Sequence, residues 1–239
     1  RNVAIGTSAL SVSTAANNNT AVGYNALKIN TTGYLNVALG CEALSQNTTG
    51  TKNTAIGGNA LWKNEGGNQN TAVGCGALYY NINGNDNAAF GYHALLSTYN
   101  GSNNNAFGKN ALYNNIYGSN NNAFGWSCLF SNKTGEENSA FGHDALFGND
   151  SGSFNSAFGN YALLSNTKGN NNCSFGSNSL NNNTTGNNNV AVGYNAALNK
   201  TVYNKCTFIG ATADATASNF TNAMAIGYGA KVDGSNKVR

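Results

Sequence analysis

Apolar and small residues recur along this chain at a fixed spacing. A glycine closes phrases such as "NTAVG" and "NSAFG" at positions 6, 23, 40, 57, 74, 91, 108, 125, 142, 159, 176, 193, 210 and 227, every step being equal and none carrying an insertion or deletion. With that glycine as position 0, position −1 is Ile, Val, Leu or Phe in all fourteen repeats. Position −2 is Ala in twelve, with Ser174 and Phe208 as exceptions; position +3 is Ala in twelve, with Cys128 and Ser179 as exceptions. Leu holds +4 in eleven repeats, from Leu10 to Leu180. Asn holds −4 in twelve and +7 in nine, and Gly holds +10 in ten, from Gly33 to Gly186. A period of seventeen is too short for helical-hairpin arrays, which need roughly 33 to 47 residues. Stretches such as "NTAVGY" are short, rich in β-branched or aromatic residues and bounded by Asn and Gly, which reads as strands and turns.

One repeat therefore fits one coil of a β-solenoid. The pattern predicts a strand around −4 to +1, a tight turn, a second strand around +3 to +6 and a loop such as "NTTGNN". At a strand spacing of about 4.7–4.9 Å, the coils would make a rod on the order of 65 Å long. Side chains alternate across a strand, so −1 faces one way while −2 and 0 face the other. We assign −1 and the +4 leucine to the coil interior and the Ala/Gly face to a close approach by another chain; the reverse assignment satisfies the same pattern. The core so read comprises Val22 and Leu27 together with an aromatic ladder of Phe90, Phe107, Phe124, Phe141, Phe158 and Phe175. The Asn columns suit turn corners, with amides one coil apart able to bond to each other, and Gly at +10 suits a positive-φ loop position. We read residues 1–239 as a single β-solenoid repeat domain, regular over 1–200 and more divergent over 201–239, cut from a longer protein.

Composition agrees with a packed array. Asn makes up about a fifth of the chain, Gly numbers 30 and Pro is missing, while charged residues are only 9% against about 25% in typical soluble domains. With 12 Tyr and 11 Phe the profile is not that of a disordered chain. The net charge of +3 is small and the basic residues are scattered, so no nucleic-acid footprint is present. No apolar run reaches the length of about 18 or more residues that a membrane helix needs, so no membrane insertion is expected of this segment.

The phrases "NVAIG" near the start, "NTAVGYNAL" from Asn19 and "NAMAIGYGAKVDGSNKVR" at the end resemble the YadA-like head repeats of trimeric autotransporter adhesins, which also occur in phage and large-virus fibre proteins. The resemblance covers essentially the whole chain and is strongest at Ala225, Ile226, Gly227, Ala230 and Val232. It implies an all-β, left-handed parallel β-roll of about fourteen coils, assembled as an intertwined or side-by-side parallel homotrimer. It also implies an extracellular place, on a bacterial surface or a virion or phage fibre, and a role in attachment to host cells or matrix. The repeats depart from the family in being longer than its usual units, and the segment carries neither stalk nor membrane barrel.

Residues capable of chemistry are sparse. His93 and His143 lie three repeats apart, and the sequence neighbours His143 and Asp144 should point to opposite sides of a strand. Cys41 and Cys75 share column +1 but are two coils apart, about 9.5 Å by the strand spacing, beyond the ~7 Å reach of a disulfide. We expect no disulfide and read the thiols as small buried apolar residues. Nine acidic residues occupy no fixed column, which argues against a calcium-bound roll. No catalytic constellation, metal site or cofactor motif emerges, and no enzyme activity is expected. The candidates for recognition are aromatics in the variable columns, Trp62, Tyr79, Tyr80, Tyr113 and Trp126, whose rings suit a host glycan or a matrix protein. The expected function is a non-catalytic, receptor-binding fibre segment; the alternative is a structural spacer displaying a tip elsewhere.

Overall fold

The computed structural model describes all residues from 1 to 239. The protein is all-β, a parallel β-solenoid of about fourteen coils with no helix. Its contacts group into two compact units, Arg1–Asn120 and Asn121–Arg239. In the first, seven three-residue strands pair in parallel: Val3–Ile5, Thr20–Val22, Val37–Leu39, Thr54–Ile56, Thr71–Val73, Ala88–Phe90 and Asn105–Phe107. The second repeats the arrangement with Asn122–Phe124, Ser139–Phe141, Ser156–Phe158, Cys173–Phe175, Val190–Val192, Thr207–Ile209 and Met224–Ile226. The register is strictly one repeat, Ala21 opposite Ala38 and Ala140 opposite Ala157. Each strand is shorter than the sequence pattern suggests, covering −3 to −1 only.

The second strand expected at +3 to +6 is replaced, in most coils, by a turn. Positions +2 and +4 both sit in the left-handed region, Asn25 at φ 53° and Leu27 at φ 50°. The column of +4 leucines behaves alike from Leu10 to Leu180, although a bulky residue there costs roughly 1–2 kcal/mol. Hydrogen bonding between coils offsets that cost. The Asn25 N–H donates back to the Thr7 carbonyl (3.0 Å) and the Leu27 N–H forward to the Ala43 carbonyl (2.9 Å), so the turn itself is laddered. Short second strands survive at Tyr80–Asn81 with Ser97–Thr98 in the first unit, and near the end of the second.

The faces are the reverse of our first assignment. Ala21 and its counterparts at −2 point into the coil and are fully buried, as are Ala26 and Leu27. The −1 side chains point outward. Val22, Phe90, Phe107, Phe124, Phe141 and Phe158 are half-buried and Phe175 is exposed, so these seven are not core residues. The physical reason is space. So short a coil encloses room for two methyls and one isobutyl group per level, and a Phe at −1 would overfill it. The aromatic ladder is real but external: Phe90 stacks on Phe107, and Phe124, Phe141, Phe158 and Phe175 stack in series, with centroids 4.6–4.7 Å apart.

The other half of the interior is polar. Both Asn columns are buried rather than at exposed corners, and neither takes a positive φ. The amide of Asn36 and that of Asn47 converge on the Gly50 carbonyl at 2.8 and 2.9 Å, while the Asn36 Oδ1 accepts the Asn53 N–H at 2.9 Å. Buried amides are tolerated because almost every donor and acceptor is matched. This explains Gly at +10 differently from the expected positive φ, which it does not adopt. A Cβ on Gly67 would stand 2.4 Å from Asn64 Oδ1 and 2.5 Å from the Gly84 carbonyl. The glycine at position 0 has both reasons, since Gly23 has φ 134° and its Cβ would meet the Gly40 carbonyl at 2.5 Å.

Exceptions inside the coil compensate one another. Ser174 and Ser179, which replace the two inward alanines of one coil, hydrogen-bond to each other. Phe208 enters the alanine column where the leucine column lapses to Ala197 and Asp214. It packs on buried Tyr203 (centroids 4.8 Å), whose hydroxyl is held by Asp214 at 2.5 Å.

Candidate functional site

With Ala, Leu and Asn consumed by the interior, function falls to the outward columns. The first is the sheet's outer face. In each unit the −1 side chains form an unbroken apolar stripe, from Ile5 (60% exposed) to Phe107 and from Phe124 to Ile226 (52% exposed). It is flanked at −3 by Val3, Thr20 and Val37 in the first unit and by Ser139, Ser156 and Cys173 in the second. Parallel sheets are as a rule covered on both faces, and a contiguous exposed apolar patch marks an interaction surface.

The second outward feature is aromatic. Trp62, Tyr79 and Tyr80, from adjacent coils, form one cluster: Trp62 stacks on Tyr79 at 5.0 Å, and Tyr80 meets Tyr79 edge-on at 4.6 Å. Partial burial, then the neighbouring Tyr80 and Glu42, raise the Tyr79 phenol above its ordinary pKa. Tyr113 does not join this cluster. It lies 6.0 Å from the His93 ring, which itself stacks on Tyr92 at 3.8 Å. Burial, and then Lys109, lower the pKa of His93.

Trp126 belongs to the other unit. It meets His143 edge-on at 4.7 Å, and His143 in turn faces Tyr161 at 5.2 Å. Here the sequence expectation fails. His143 Nδ1 and Asp144 Oδ2 are 3.3 Å apart, a close contact without hydrogen-bond alignment, and they meet because Asp144 is at φ 53° in a turn and not on a strand. No group of three or more His, Cys, Asp or Glu side chains is arranged to hold a metal ion.

All five cysteines are free. Cys128 and Cys206 are buried, as the apolar-thiol reading expects, and Cys173 is half-buried. Cys41 and Cys75 are exposed, because +1 follows the outward turn at glycine 0 and faces solvent. The Asn-x-Thr sequons at Asn30 and Asn47 fall in the buried +7 ladder.

These features define a class, a β-solenoid with a closed interior and an apolar outer sheet face. Neither protein-family models nor curated proteins give a match to the chain.

Proposed function

We propose that this chain is a non-catalytic, receptor-binding segment of an extracellular fibre, assembled as a parallel homotrimer on a bacterial surface or a virion. The observation that carries the reading is the apolar stripe at −1. A column that never admits a polar residue, yet points outward in every coil, is kept apolar by something outside the coil. A second copy of the same repeat supplies a complementary stripe at the same spacing. The resemblance to YadA-like head repeats supports three copies, left-handed coils and an attachment role.

The variable columns support recognition rather than mere spacing. Columns +1, +2, +5 and +8 change from coil to coil while the inward ones are nearly constant, and with Tyr80 at +6 they carry the candidate aromatics Trp62, Tyr79, Tyr113 and Trp126. The test is direct binding of the purified full chain to host cells and to immobilised matrix proteins. Saturable binding is the expected result. Binding to no surface would favour a spacer that displays a tip elsewhere.

A further inference from the structure

The +8 column changes character in one place. It holds Thr31, Thr48 and Glu65 in the first unit and Lys133, Asp150, Thr167, Thr184 and Thr201 in the second, but three consecutive coils carry the bulky Ile82, Tyr99 and Ile116 instead. The threonines stabilise by bonding to the next coil: Thr31 Oγ1 donates to the Thr48 carbonyl at 2.6 Å and Thr48 Oγ1 to the Glu65 carbonyl at 2.5 Å. The threonine bonds end where charged residues take the column at Glu65, Lys133 and Asp150, and between them Ile82, Tyr99 and Ile116 make the column apolar and aromatic. The same stretch breaks the buried amide ladder, since Thr98 stands where Asn is the rule. As a result Asn81 Oδ1 and the fully buried Thr98 Oγ1 both lack a partner. Two stabilising columns lapse together, and places where a regular fold departs from its own rule are where function is expected.

What the lapse creates is a groove of ≈ 270 Å³ lined by Lys63, Tyr80, Ile82, Thr98, Tyr99 and Ile116. Drug-sized pockets start at about 300 Å³, so the groove suits a single ring. Ile82 is buried in its floor, whereas Tyr80 and Tyr99 stand exposed and their hydroxyls bond to no protein group. Tyr80 is braced by Tyr79 and Trp62, and Tyr99 by Tyr117 at 6.1 Å.

We propose that this groove binds one 2-acetamido sugar ring of a surface glycan, an inference that rests on the receptor-binding reading and names its ligand. The ring's C–H face lies against a tyrosine, its hydroxyls meet the free phenols, and the acetamido methyl covers Ile82 and Ile116. A plain hexose would set a hydroxyl against the isoleucines, and a lipid chain would leave the phenols unused. An acidic sugar gains little, because Lys63 is already paired with Glu65 at 3.4 Å. The groove shares no residue with the −1 stripe, so the two surfaces can be tested apart.

The test is a methyl-NMR titration of the full chain with the methyl glycosides of N-acetylglucosamine, N-acetylgalactosamine and glucose, repeated on Tyr99→Thr. That variant installs the repeat's own residue and therefore folds. An acetamido sugar should shift the Ile82 and Ile116 methyls saturably, with glucose about tenfold weaker and Tyr99→Thr losing about tenfold, the size of one aromatic contact. The Leu27 methyls should not move. No shift with either acetamido sugar, equal response to glucose, or full binding by Tyr99→Thr would each overturn the groove. If Tyr99→Thr keeps full binding to host surfaces, the groove is overturned and the attachment role stands. If the unaltered chain binds no host surface, the attachment role itself is lost, whatever the titration shows.

Discussion

Asn47 Nδ2 donates to Asn30 Oδ1 at 2.8 Å, one coil away, with both side chains fully buried. The same nitrogen donates to the Gly50 carbonyl at 2.9 Å, so a single amide ties its own loop to the neighbouring coil. Asn64 continues the chain of bonds, donating to Asn47 Oδ1 at 2.7 Å and to the Gly67 carbonyl at 2.8 Å. Asn64→Ala orphans Asn47 Oδ1, a buried acceptor worth about 1–3 kcal/mol, while the Gly67 carbonyl keeps the Asn53 amide at 2.8 Å. Thermal or urea unfolding should register a loss in that range. Asn83→Ala, at an exposed amide, should change stability by less than about 0.5 kcal/mol. The converse holds at the gap in the ladder. Thr98→Asn offers Asn81 Oδ1 a donor inside the coil and should stabilise by about 1 kcal/mol. No gain in stability would contradict the gap in the ladder at Thr98.

Gly57 and Gly58 are sequence neighbours with opposite fates. Gly57 has φ 129°, and a Cβ there would stand 2.8 Å from the Gly74 carbonyl carbon and oxygen. At Gly58 nothing lies within 4 Å. Gly57→Ala should cost on the order of 3 kcal/mol, combining left-handed strain with displaced backbone, and Gly58→Ala should be close to neutral. Equal unfolding midpoints for the two variants would contradict the coil-to-coil contact at glycine 0.

The thiols fall into three classes by column. Cys41 and Cys75, exposed at +1, should react rapidly with an aromatic disulfide reagent under mildly alkaline conditions. Cys128, at an inward +3, is pushed up to about 11 by burial, with hydrogen bonds to Ala145 and Gly142 acting the other way. Only a small thiolate fraction exists under the same conditions, so it should stay silent until the chain unfolds. Cys173 lies on the outer sheet face, and burial raises its pKa. It should be protected in the assembled protein and become reactive on dissociation. Two fast thiols, one conditional and two silent are the expected result, with Cys206 the second silent group.

Much of this was legible in advance, and the gaps have physical causes. The repeat length, the parallel one-repeat register and the inward Leu27 all follow from columns of unvarying residues. The choice of inner face was not legible, because alternation alone fits either direction, and the deciding quantity is the volume that so short a coil encloses. A tight turn after +1 was expected, but its extension through +4 in place of a second strand was hidden. A leucine at φ 50° has no sequence signal, and only the bonds from Asn25 and Leu27 to neighbouring coils make it tolerable. That turn is also why His143 and Asp144 meet when strand alternation would separate them. Of the five aromatic candidates, Trp62, Tyr79 and Tyr80 come together. Tyr113 and Trp126 lie beside histidines instead. The groove next to Tyr80 was missed, although its signal was present: Ile82, Tyr99 and Ile116 interrupt a column otherwise held by Thr, Ser and charged residues.

Everything proposed about assembly depends on the −1 stripe being an interface between copies of this chain. Native mass by light scattering decides it, made on the unaltered chain and on the double variant Phe141→Asp, Phe158→Asp. These aspartates project outward from the strands and leave the Ala, Leu and Asn interior intact, so circular dichroism should stay β-rich. We predict a mass three times the 24.7 kDa of one chain, falling to a single chain in the variant. A mass of 24.7 kDa for the unaltered chain, at micromolar concentration and in moderate salt, would contradict the interface.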